Sequence, residues 1–88
     1  YILLIEENVL NIPAEEGVVQ IFDEKKIAIL IKGTDNMREL LKEYINKGKF
    51  FLYEKDKMYT KRESELLQKF LQIHKRMPKL NDEIEELF

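Results

Sequence analysis

Two β-prone runs separated by a short polar break constrain this chain most. Gly17-Val18-Val19-Gln20-Ile21-Phe22 is followed by Asp23-Glu24-Lys25-Lys26 and then by Ile27-Ala28-Ile29-Leu30-Ile31. Runs rich in β-branched and aromatic residues read as strands, and a gap of hairpin-loop length joins them antiparallel. The second run is apolar at every position, which predicts a central strand covered on both faces.

The hydrophobic period then changes. Met37, Leu40, Leu41, Tyr44 and Ile45 recur at helical spacing after Gly33-Thr34-Asp35, with Thr34 or Asp35 as the expected N-cap and Gly48 at the C′ position. Phe50-Phe51-Leu52-Tyr53 returns to a strand pattern. Strand, helix and strand in succession imply a crossover that makes the two strands parallel members of one sheet. Before the hairpin, Tyr1 to Ile5 reads as a strand and residues 6–16 as a connecting loop. After it, Thr60-Lys61-Arg62-Glu63 has the form of a capping box. Leu66, Leu67, Phe70, Leu71 and His74 continue a helical face up to Pro78, and a last helix is expected from Asn81 with Ile84, Leu87 and Phe88 on its apolar side. The expected fold is α+β in the order β-β-β-α-β-α-α, a small mixed sheet of three to four strands with helices packed on it, in a single domain spanning residues 1–88. Its core is expected to gather Ile29, Ile31, Leu40, Leu41, Tyr44, Phe51, Leu67 and Phe70 in one place, since a chain of 88 residues has little surface to divide.

Charge is segregated. Residues 47–79 hold ten bases and four acids, whereas 1–46 and 80–88 are each net −4, so a formal charge of −2 hides a basic middle between acidic ends. Such a middle attracts a polyanion, an acidic protein surface or the chain's own acidic ends. No apolar run approaches the ~20 residues that span a bilayer, and no signal-peptide pattern opens the chain. No membrane partner and a cytoplasmic location are therefore the expectation. The absence of cysteine removes disulfide and thiolate chemistry, and abundant Lys and Glu lean toward a thermophilic source. An opening Tyr1 and a terminal apolar Leu87-Phe88 suggest a domain of a longer protein.

Catalytic groups are scarce. His74 is the single histidine and lacks the neighbours of a zinc site. The pairs Glu6-Glu7, Glu15-Glu16 and Glu85-Glu86 read as solvated charge. Thr34 and Thr60 read as caps, and the glycines are too dispersed to cradle phosphate. The reading leans away from an enzyme and expects no cofactor and no metal.

Two functional expectations follow. The first is a protein–protein interaction or self-association domain, with Leu87 and Phe88 as the partner-binding end. The alternative is a nucleic-acid-binding accessory protein, in which Lys49, Lys55, Lys57, Lys61, Arg62, Lys69, Lys75, Arg76 and Lys79 neutralise phosphates and Tyr53 stacks on a base. Residues 60–88, through Thr60, Leu67, Phe70, Pro78, Glu83-Ile84 and Phe88, resemble the first two helices of winged-helix regulators. The helix that reads bases comes third in such units, so the nucleic-acid reading rests on the 47–79 segment.

Overall fold

The hairpin forms where its residues place it, and the rest of the chain is arranged around it. The computed structural model describes residues 1–81. The elements are β1 (Ile2–Leu3), α1 (Glu6–Val9), β2 (Gly17–Phe22), β3 (Ala28–Thr34), α2 (Met37–Glu43), β4 (Phe50–Lys55) and α3 (Tyr59–His74). Residues 79–81 are again helical, and the remainder of the helix expected there, with Ile84, Leu87 and Phe88, lies outside the described residues. The fold is α+β, four strands with helices packed against them.

Strand order is β1-β4-β2-β3, and every neighbouring pair is antiparallel. This corrects two expectations about pairing. β3, which holds most of the all-apolar run, lies at an edge, and β2 and β4 are the central strands. The crossover through α2 carries β4 past β2, so β3 and β4 share a direction with β2 between them, a split arrangement with no parallel ladder. An unbroken apolar run reports that both faces are covered. It says nothing about how many sides are hydrogen-bonded, and β3 is indeed covered on both faces.

The sheet divides the apolar residues between those faces, so the single expected core is two. On the first, Leu4, Val9, Ile12, Val19, Ile21, Leu30, Met37, Leu40, Leu41 and Phe51 bury together, with Ile29, Tyr44 and Ile45 packed at the margin. On the second, Val18, Phe22, Ala28, Ile31 and Phe70 bury together, joined by Phe50, Leu52, Leu66 and Leu67. Each fully buried aliphatic or aromatic side chain stabilises by about 1.5–3 kcal/mol relative to exposure. The span 6–16, expected as a loop, contains the one-turn α1, which brings Val9 fully into the first core.

Several caps also differ from expectation. Asn36 caps α2, its Oδ1 accepting from the Glu39 N–H at 3.1 Å, while the Thr34 hydroxyl accepts from the Asn36 N–H. Gly48 has no positive φ and does not end α2, which stops at Glu43. A Cβ at Gly48 would strike the Ile21 side chain, so close packing on β2 requires the glycine there. Met58 precedes α3, and its N–H is held by Asp56 at 2.8 Å, replacing the expected Thr60 box. Glu63 instead reaches across to β3, where its Oε1 accepts from the Gly33 N–H at 2.8 Å. Helix α3 comes so near β3 there that a Cβ on Gly33 would lie 2.8 Å from the Tyr59 ring and carbonyl.

One step further along β3, Asn81 makes two bonds to a single residue. Its Oδ1 accepts from the Ile31 N–H at 2.9 Å, and its Nδ2 donates to the Ile31 carbonyl at 2.9 Å. An amide side chain here takes the place of a neighbouring strand. Asn81 is the one buried polar residue among the described residues, and both of its functional atoms are satisfied.

Candidate functional site

The second face carries a concavity between α3 and the β2–β3 hairpin. The β2–β3 loop is fixed by Asp23, whose Oδ1 accepts from the Lys25 and Ile27 N–H groups at 2.9 and 3.0 Å. Lys26 takes a left-handed conformation with φ 63°, rare for a side-chain-bearing residue. The turn sets Lys26 Nζ 5.1 Å from the Tyr1 ring centre and 5.7 Å from that of Phe50. Tyr1 also meets Phe22 edge-on at 4.8 Å. Opposite, α3 presents Leu66, Phe70 and Ile73 at helical spacing. Phe70 is capped by two basic side chains, with His74 stacked on it at 4.2 Å and the Arg76 guanidinium 5.5 Å from its centre. Lys75 closes α3 with φ 59°, its N–H donating to the Leu71 carbonyl.

Between hairpin and helix lies an open groove of about 240 Å³. Its floor includes Phe22, Ala28 and Ile31, its wall is α3, and Lys26, Lys69 and His74 stand among the lining side chains. Among the described residues no carboxylate lines it. Ile73, 70% exposed, projects from the wall.

The basic residues singled out from sequence do not form one stripe. Lys49 sits at one end of β4 beside Asp23, Glu24 and Lys47. Lys55 is at the other end, six residues or about 20 Å away, and pairs with Glu15 at 2.9 Å. Lys57 lies in a hollow shared with Glu15, Glu16 and Asp56. Arg62 bonds to Glu54 and stands 3.8 Å from Glu65. The Glu54 hydrogen bond and charge raise the Arg62 guanidinium above its ordinary pKa. Lys61 and Lys79 are exposed. Of these nine residues Lys69 alone lines the groove, while Arg76 lies over the Phe70 ring and Lys75 ends α3. Leu87 and Phe88 lie outside the described residues.

The aromatic run of β4 is divided by the pleat. Phe51 is wholly buried on the first face, while Phe50 and Leu52 pack into the second core. Tyr53 is 39% exposed and tilts against Phe51 at 6.4 Å. Sequence reasoning missed Lys26, which reads as part of a polar break. Its one signal is a position directly before an apolar strand, where a lysine stem can lie along apolar surface.

The N-terminus of α2 is already occupied by the protein's own acceptors. Besides the Asn36 and Thr34 bonds, the Met37 N–H donates to the Glu15 carbonyl at 3.0 Å. Among the described residues no three His, Cys, Asp or Glu side chains stand close enough to hold a metal ion, and no helix is long and apolar enough to cross a membrane. Compared with protein-family models, with curated proteins and with solved structures, the chain matches none.

Proposed function

We propose that this is a protein-interaction domain whose docking surface is the groove between α3 and the β2–β3 hairpin. The observation that supports the reading is the chemistry of that groove. Apolar side chains form its floor and wall, the lysines Lys26 and Lys69 and the imidazole of His74 stand among them, and no acid of the described residues interrupts them. A surface of this kind is complementary to a protein segment in which acidic residues alternate with Leu, Ile or Phe. Apolar contact supplies affinity, and charge selects the partner and speeds encounter. The chain's residues 82–88, Asp-Glu-Ile-Glu-Glu-Leu-Phe, have that composition, which defines a peptide class to test.

The test is a titration of the isotopically labelled chain with a synthetic amphipathic peptide bearing acids at every third or fourth position. Amide resonances of Ile27, Ala28, Leu66 and Ile73 are expected to move, and Lys26→Glu with Lys69→Glu to weaken binding at least tenfold. A basic peptide of the same hydrophobicity is the control. If the acidic peptide leaves these resonances unmoved at millimolar concentration, the reading fails. The alternative, nucleic-acid binding through residues 47–79, is favoured instead if a single-stranded oligonucleotide binds below micromolar at physiological salt, with a steep salt dependence.

A further inference from the structure

The two edges of the sheet are finished differently, and the unfinished one has a partner at hand. At β4, strand β1 pairs with Phe50 and Phe51 and goes no further. The direction of the remaining main-chain groups follows from the ladder with β2. Asp56 N–H donates to the Glu16 carbonyl, and antiparallel bonding alternates. Given the register, Val18–Glu54 and Gln20–Leu52 are the bonded pairs. The N–H and C=O groups of Tyr53 and Lys55 therefore point away from β2, toward the side that β1 does not reach. Tyr53, Glu54 and Lys55 are exposed, and no strand covers this stretch among the described residues. At the other edge, Asn81 occupies the outward N–H and C=O of Ile31 and Glu63 occupies the outward N–H of Gly33.

We propose that the open stretch of β4 pairs antiparallel with the same stretch of a second copy, joining two four-stranded sheets across a two-fold axis. Self-pairing is favoured by what the register places in contact. With Glu54 at the dyad, Tyr53 stands across from Lys55 of the second copy on the first face, an aromatic–cation pair made twice. On the second face the two Glu54 carboxylates approach, each already bound to its own Arg62, so two ion pairs meet side by side and like charges do not meet bare. Four main-chain hydrogen bonds, from Tyr53 and Lys55 of each copy, would close both edges. The contact is short, so the dimer is a weak one, with a dissociation constant on the order of 0.1 mM. This inference is independent of the groove, which lies at the other end of the sheet.

Sedimentation equilibrium of the full chain from about 10 µM to 1 mM tests it, alongside Tyr53→Pro. Proline removes an N–H that faces the open edge and leaves the β2 ladder intact. The wild-type mass is expected to rise toward the dimer, and the proline variant to stay monomeric, a loss of at least tenfold in association. A monomeric wild type across that range overturns the proposal, as does a proline variant that associates equally. Should the variant not fold, hydrogen exchange on the wild type decides. Tyr53 and Lys55 amides are expected to slow at least tenfold at the high concentration, and rates that do not change with concentration refute self-pairing. A chain that stays monomeric yet protects these amides when an unrelated extended peptide is added also refutes it, assigning the edge to strand addition by another protein.

Discussion

The edge at β3 and the edge at β4 are made of the same main-chain groups and solve the same problem in opposite ways. An unpaired strand edge is a template for further strands. At β3 the outward N–H and C=O of Ile31 are taken by Asn81 and the outward N–H of Gly33 by Glu63, two side chains that act as surrogates for a strand. At β4, β1 covers only Phe50 and Phe51. The two edges also differ in what lies over them. β3 is roofed by α3, which closes on it at Gly33 and Tyr59, whereas Tyr53, Glu54 and Lys55 remain exposed. A sheet with one sealed edge grows in one direction only, which favours a defined pair over an open-ended stack.

That contrast makes predictions that descend in size. Asn81→Ala leaves the Ile31 N–H and C=O without their partner in a buried place, and each such group costs about 1–3 kcal/mol. A loss of about 2–4 kcal/mol in a urea melt is expected, and a loss below ~0.5 kcal/mol would mean that water seals this edge as well as the side chain does. Gly33→Ala forces a methyl group against Tyr59 and should cost about 1–3 kcal/mol by overpacking, with near-ultraviolet circular dichroism reporting the displaced Tyr59. Glu63→Gln keeps an acceptor for the Gly33 N–H and removes only its charge, so a loss of less than ~1 kcal/mol is expected. Glu63→Ala should lose more than Glu63→Gln in the same melt, and equal losses would show that the bond to Gly33 is immaterial. Lys55→Gln removes an exposed ion pair with Glu15 and is expected to change stability by no more than about 0.5 kcal/mol. Such a variant distinguishes the edges, because a substitution at the open one should alter association while leaving the melt in place.

Much of the fold was legible in the sequence, and most of the misses share one cause, the one-turn α1 and the Asn36 cap of α2 being local exceptions. Continuous runs of β-branched and aromatic residues announced β2, β3 and β4, and the i, i+3, i+4 spacing announced α2 and α3, because each pattern is local in the chain. What failed was everything set by a residue far along the chain. Ile27 to Ile31 looks central, yet its strand is an edge, because β4 enters on the other side of β2. Glu63 fits a capping box, yet it serves Gly33, 30 residues earlier. Asn81 reads as the start of a helix, yet it completes a strand 50 residues away. The basic segment reads as one patch, yet the pleat and the helix turn send Lys49, Lys55 and Lys69 to different places.

The amino-acid sequence by itself determined β2, β3, β4, α2 and α3, their order and their apolar stripes. Those properties depend on neighbours within a turn of helix or a few residues of strand. Tertiary structure decided which strands are central, that one core becomes two, that Lys26 and Lys69 converge on one groove, and that side chains bond one sheet edge while no strand of the described residues covers the end of the other. Each of these depends on contacts between residues tens of positions apart, and a periodic pattern carries no record of which distant partner will satisfy a main-chain group.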